Sequence, residues 1–312
     1  MFGATSRALF QQLAHSPRLR RLASRYGMAH GRGFARRFIA GETIEEALDA
    51  VAGLPARGLG LTLDYLGESV SSGDAAAAAA AEYVRVIQAM VASGVERNIS
   101  VKLTQLGLDV DRATAVDNIR RLLEASDAHE FFVRIDMEDS RHTDATLRIV
   151  DTLWQQEHRR IGTVIQSYLK RSEADIRQLN TMGVRIRLVK GAYLEPKTVA
   201  FQDKADVDAS YVDLMRLLLD EGHDPAIATH DPAMLDATKA HAAAKGYGKD
   251  RFEFQMLYGI RRDLQTSLVA EGYRVRVYVP FGKQWYPYFM RRLGERPANI
   301  GFILRAVLRD RG

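Results

Sequence analysis

The sequence predicts an α/β fold, a (β/α)8 TIM barrel, and three observations carry that prediction. Eight short apolar runs recur from residue 58 onward: GLGLTLDYL (58–66), NISVKLTQLG (98–107), FFVRIDMED (131–139), IGTVIQSYL (161–169), VRIRLVKGAY (184–193), PAIATHD (225–231), FEFQMLYG (252–259) and YRVRVYVPFG (273–282). Helical stretches alternate with them, which implies repeated βαβ units and a parallel sheet. Each run also carries polar or ionisable residues at its C-terminal end, the end where a barrel of this kind gathers its functional groups. These are Asp64, Lys102, Asp136 with Glu138, Gln166, Arg187 with Lys190, His230 with Asp231, Gln255, and Tyr278. Buried charge is costly unless it is paired or used, and packing alone does not explain eight strand ends behaving alike.

Taken in order, residues 1–57 read as an N-terminal helical extension and 58–312 as the barrel. Leu9, Leu13, Leu19, Leu22 and Tyr26 have helical apolar spacing, and Thr43 with Glu46 forms a capping box for the helix that starts in AGETIEEALDAV. Helices are then expected over 74–92, 112–127, 143–157, 172–181, 205–221, 232–245 and 261–271. No linker rich in Gly, Pro or Ser divides the barrel region. Asn98-Ile-Ser100 fits the glycosylation triplet, but it opens an expected buried strand.

Composition narrows the chemistry. With no cysteine, disulfides, thiolate metal sites and a cysteine nucleophile are excluded. No apolar run approaches a membrane span. No G-x-G-x-x-G or Walker pattern, no H-E-x-x-H and no G-x-S-x-G elbow is present, so no metal site, serine nucleophile or Rossmann dinucleotide site is expected. The net charge of +5 is uneven: residues 1–40 hold eight arginines and no lysine or acid. Such an arm imitates a transit peptide and also suits anionic lipid or nucleic acid. Because the functional motifs lie beyond residue 100, residues 1–40 are expected to be dispensable for turnover.

The segment WYPYFMRRLGERP (285–297) places four aromatic side chains beside Arg291 and Arg292. Alone, Arg291 and Glu295 form an ordinary i, i+4 charge pair. Together with KLTQLG, RIDME, IQSYLKR, RLVKGAYLE, ATHD, FEFQMLYG and YVPFG, in this order on successive strands, the chain closely resembles the FAD-dependent proline dehydrogenase family over about residues 40 to 305. RLVKGAY and YFMRRLGERP are the most specific of these signals. One departure is Phe281, where the family has a tyrosine.

The resemblance implies a distorted barrel whose last helix lies over the mouth, holding FAD noncovalently. It implies oxidation of L-proline to Δ1-pyrroline-5-carboxylate by hydride transfer to flavin N5, with electrons passed to a membrane quinone. Arg291 and Arg292, with Lys102, would hold the substrate carboxylate, since a guanidinium binds it bidentately. Glu295 would steady an arginine, and Asp136 would position the cations or form a structural ion pair. Tyr278 and Leu257 would wall the ring, and Tyr193 would line the pocket. Arg187 and Gln166 would meet the isoalloxazine. Val189, Gly191, Lys204, Thr229, His230 and Gln255 would hold the rest of the cofactor, with Gly191 allowing a close backbone approach. The expected location is cytoplasmic with a peripheral contact at the inner membrane, or mitochondrial in a eukaryotic source. No nucleic-acid partner is expected. Two other readings stand beside this one. One is a Schiff-base aldolase-type barrel using Lys102 or Lys190. The other is a non-enzymatic protein tethered to nucleic acid by its basic arm.

Overall fold

The computed structural model describes Met28 and residues 34–295, with side chains through Met290. The expected helices before residue 28 lie outside the described residues. The eight apolar runs form β1 (Leu59–Tyr65), β2 (Asn98–Val101), β3 (Phe132–Ile135), β4 (Ile161–Gln166), β5 (Arg185–Val189), β6 (Ala226–Ala228), β7 (Glu253–Leu257) and β8 (Arg274–Phe281). They pair in sequence order, all parallel, and close into a barrel. The seam is the longest ladder, with Leu59 opposite Val275 through to Tyr65 opposite Phe281. Asn98 and Ser100, the two polar residues of the glycosylation triplet, are buried.

The helices are α1 (Ile44–Val51), α2 (Gly73–Ser93), α3 (Arg112–Asp127), α4 (Ser140–Gln155), α5 (Ser172–Met182), α6 (Lys204–Glu221), α7 (Pro232–Lys245), α8 (Arg262–Ala270) and α9 (Trp285–Glu295). Helix α4 starts three residues before its apolar pattern does, because the Asp139 side chain accepts from the Arg141 N–H and caps it there. The box at α1 is half as expected. Thr43 caps the Glu46 N–H, but the Glu46 carboxylate accepts from Glu42 N–H, one residue before the cap, and pairs with Arg36. Helix α2 is long and apolar enough, by length and composition, to cross a membrane. Here its Tyr83, Val86, Ile87 and Met90 are buried in the layer between helices and barrel.

Three apolar clusters result among the described residues, the smallest being Tyr168, Leu169 and Ala200. The large one lies between the strands and the surrounding helices. The second joins the start of the described chain to the last helix: Ala35, Phe38 and Ile39 pack with Leu66, Trp285, Tyr286, Tyr288, Phe289 and Met290. Backbone bonds from Ala40 N–H to Pro280 O and from Gly282 N–H to Gly41 O, both 2.9 Å, tie the same segment to β8. The Trp285 indole donates to Glu42 at 3.0 Å. Ala35, Phe38 and Ile39 thus supply the surface on which α9 rests, which counts against the expectation that residues 1–40 are dispensable for turnover. Phe281 is fully buried against the Tyr65 ring, 5.6 Å between centroids.

The barrel interior is unusual. Such interiors are commonly filled by branched apolar side chains, yet here the lower layers are charged. Glu253, 3% exposed, accepts from the Arg276 Nε at 3.0 Å. Arg276 also reaches Glu96 at 2.7 Å and the Leu61 carbonyl at 2.7 Å, and Arg274 pairs with Asp224 at 2.7 Å. Burial by itself would raise the Glu253 carboxyl, but Arg276, Gln255 and Arg274 overcome it and hold the pKa at about 2. A folded value below the unfolded one means stability that is full above about pH 4.5 and lost as pH falls through about 2. The contribution is on the order of 3 kcal/mol. Glu253→Gln is therefore expected to lower the melting temperature at pH 7 and to flatten its decline on acidification. Thermal melts from pH 7 to 2.5 check this, and parallel curves for the two proteins would contradict it.

Candidate active site

The upper interior layer is built from residues that β2, β3, β5, β7 and β8 project inward at every second position. Asp136 is its hub. One carboxylate oxygen accepts from Arg187 Nη1 at 2.8 Å and the other from the Tyr278 hydroxyl at 2.9 Å, with Lys102 Nζ at 4.0 Å. Arg187 is further fixed by Gln255 Oε1 at 2.5 Å and Ser100 Oγ at 3.1 Å, and its guanidinium lies 5.1 Å from the Tyr278 ring centroid. Gln255 in turn donates to Glu253 at 2.5 Å, which connects this layer to the charged one below. Lys102 donates to Asp64 at 2.8 Å.

These contacts set the protonation states. Burial opposes the charge on Lys102, but Asp64 and Asp136 outweigh it and hold the ammonium above its ordinary range. Burial, then Asp136 and Asp64, push the Tyr278 phenol well above its ordinary value, so it stays a neutral donor. A Schiff-base lysine needs a lowered pKa to attack as the free amine. Lys102 is shifted the other way, and Lys190 is held by Asp208 at 2.5 Å and Asp231 at 2.8 Å. The aldolase reading loses both of its nucleophiles.

Helix α9 follows β8 and returns over this end of the barrel. Gln284, Pro287 and Tyr288 line a small pocket together with Lys102, Leu66, Gly67 and Glu68. The backbone of Arg291, Arg292 and Glu295 belongs to α9, while their side chains lie outside the described residues.

A family model described as Proline dehydrogenase matches residues 47–305. Proline dehydrogenase 1 of Bacillus subtilis (strain 168) is 43% identical over 303 residues, covering 97% of this chain and 99% of the relative. This chain belongs to the proline dehydrogenase family. It is an oxidoreductase acting on proline. The Deinococcus radiodurans proline dehydrogenase is 45% identical over 281 residues, covering 88% of this chain and 90% of its own length. Among solved structures, proline utilization A from Bdellovibrio bacteriovorus, inactivated by N-propargylglycine, superposes with a TM-score of 0.77 at 27% identity. The match covers 83% of this chain and 32% of that larger one. The family implies a flavin cofactor.

The remaining residues expected at the site fall around the mouth. Gln166 donates to the Glu138 carbonyl at 3.1 Å, while its own Oε1 is buried with no hydrogen-bond partner. His230 accepts the Leu257 N–H at Nε2, 2.9 Å, which joins the ends of β6 and β7. The Thr229 hydroxyl accepts from Asp231 N–H at 3.0 Å and shapes the turn into α7. Val189 ends β5, and Tyr193 is half-buried in the segment after it. Gly191 also has a reason within the protein itself. Its φ is +110°, and a Cβ there would lie 2.4 Å from the Tyr168 ring, so a side chain is excluded by protein alone. Lys204 stands apart: it is exposed on the rim, paired with Asp208 and 3.7 Å from Asp231, and the structure does not bring it to the central cluster.

Sequence reasoning noted Asp64 only as a polar strand end and passed over Ser100 and Glu253. A usable signal was there. Thr62 and Asp64, Asn98 and Ser100, Arg134 and Asp136, Arg185 and Arg187, Glu253 and Gln255, and Arg274 and Arg276 each sit two apart, on one face of a strand.

Proposed function

We propose that this protein oxidises L-proline to Δ1-pyrroline-5-carboxylate with noncovalently bound FAD and passes the electrons to a membrane quinone. The observation that carries this reading is the Asp136 hub, which holds Arg187, Lys102 and Tyr278 at the barrel mouth beneath α9. The residues fit a flavin. The unpartnered, buried Gln166 Oε1 is an acceptor suited to a ring N–H, and Arg187 is a fixed cation on the adjacent strand, two residues lower in register.

When bound, the flavin would accept the hydride from the substrate ring carbon next to nitrogen. Arg187 and Gln166 would hold the isoalloxazine, and a cation there favours the reduced, anionic ring. Val189, Gly191, Thr229, His230 and Gln255 would hold the remainder, with Lys204 at the rim. Lys102, charged under Asp64 and Asp136, would take the proline carboxylate together with Arg291 and Arg292, and Glu295 would orient one arginine. Tyr278, Leu257 and Tyr193 would enclose the pyrrolidine ring. The basic N-terminal arm would serve as the peripheral contact with an anionic inner-membrane surface.

Purified protein is expected to be yellow, with flavin absorption bands that bleach when proline is added without oxygen. A colourless preparation that still oxidises proline would overturn the FAD reading. The same pocket predicts selectivity. Tyr278→Ser is expected to lose activity on proline, because serine cannot reach Asp136, and to open space for a ring hydroxyl. The preference for proline over 4-hydroxyproline should narrow by roughly 10–200-fold in kcat/KM. An unchanged ratio at normal flavin content would take Tyr278 away from the substrate ring.

A further inference from the structure

Arg134 has no place in the site as described so far, yet it is among the most deeply placed charges in the molecule, 2% exposed. It precedes Asp136 by two residues on β3, so it points into the barrel about 7 Å below the hub. Its surroundings are shaped to admit it. Its cross-strand neighbour is Gly162, and a Cβ at that position would stand 2.7 Å from Arg134 Nη1. The same nitrogen donates to the carbonyls of Thr163 at 3.0 Å and Arg185 at 2.6 Å, and the guanidinium lies 4.7 Å from the Phe132 ring centroid.

What Arg134 lacks is a counter-ion. Lys102, Arg187, Arg185, Arg274 and Arg276 each have a carboxylate within ion-pairing distance. Among the described residues Arg134 has none, and its Nε is buried without a hydrogen-bond partner. Burial, then the nearby Arg187 and Arg185, push its pKa down, and Glu253 and Asp136, both beyond ion-pairing distance, do not offset them. A guanidinium nevertheless stays charged at neutral pH. Among the described residues, the mouth layer itself offers no surplus of positive charge. Lys102 and Arg187 are matched by Asp64 and Asp136, and Glu138 is buried at the end of the same strand as Asp136. An unpaired buried cation is destabilising, and a long apolar side chain such as methionine would occupy most of the same space without that cost.

We propose that Arg134 is a positioning residue for flavin reduction: an uncompensated charge under the Asp136–Arg187 pair that raises the electrostatic potential at the barrel mouth and so favours the reduced, anionic cofactor. This rests on the FAD reading above. The test is the reduction equilibrium of bound FAD in the holoenzyme, measured against a reference dye for wild type, Arg134→Gln, Arg134→Met and Arg134→Lys. The Gln side chain keeps a donor for the two carbonyls, the Met side chain keeps volume, and Lys keeps charge. At the poise where the wild type is half reduced, the two neutral variants are expected to show at least a ten-fold lower reduced-to-oxidised ratio. That corresponds to about 30 mV for a two-electron couple. Arg134→Lys should return most of the difference. Wild-type ratios in the neutral variants overturn the proposal. So does loss of folding in both neutral variants while Arg134→Lys folds normally, since that assigns the charge to stability. Failure of the FAD reading is seen separately, as wild-type protein without flavin.

Discussion

Asp136→Ala is expected to lower kcat/KM for proline by roughly 10²–10³-fold, while the barrel still folds. The carboxylate is the shared acceptor of Arg187 and Tyr278 and the second anion near Lys102. Truncating it leaves a buried guanidinium without its carboxylate and frees the phenol, and breaking a buried pair from one side typically costs about 3–5 kcal/mol. Part of that appears as lost stability and part as misplaced catalytic groups. Gln255 and Ser100 still hold two of the three Arg187 nitrogens, so the guanidinium shifts but remains in the layer. Asp136→Asn keeps one acceptor and should fall between the two. Steady-state kinetics with flavin content measured in parallel separate these effects. Wild-type kcat/KM in Asp136→Ala would show that the hub is a structural ion pair and no more.

Arg292→Lys is expected to raise the KM for proline by about 30–1000-fold, equivalent to about 2–4 kcal/mol, with flavin retained. The reason is shape more than charge. A lysine keeps the positive charge but cannot present two parallel N–H donors to a carboxylate. Helix α9 carries this position, and Gln284, Pro287 and Tyr288 on the same stretch of chain line the pocket with Lys102. Because α9 is held from behind by Phe38, Ile39 and Glu42, the substitution should leave the helix seated. Saturation with proline at wild-type concentrations would remove Arg292 from carboxylate binding.

Several parts of this molecule were legible in the chain because they depend on local spacing. The recurring apolar runs gave eight strands and the stretches between them gave the helices, and Asp139 shows how one side chain moves such a boundary by three residues. Lys102, Asp136, Arg187, Gln255 and Tyr278 could be named because strand ends of a parallel barrel meet on one face. Their mutual contacts could not, since Arg187 and Asp136 lie 51 residues apart and Tyr278 and Asp136 lie 142 apart.

The sequence by itself determined the barrel and the set of polar groups at its mouth, which follow from residue type and spacing along the chain, and the family, which its ordered motifs resemble. Closure of the barrel decided the rest. It turned the alternate positions of every strand inward, so that Glu253, Arg276 and Arg134 became buried partners or an unpaired charge instead of solvated side chains. It also brought residues 35–40 under α9, which local pattern along the basic N-terminal segment does not indicate. Charge–charge energies depend on distance and on the surrounding dielectric, and both are properties of the folded interior, not of position in the chain.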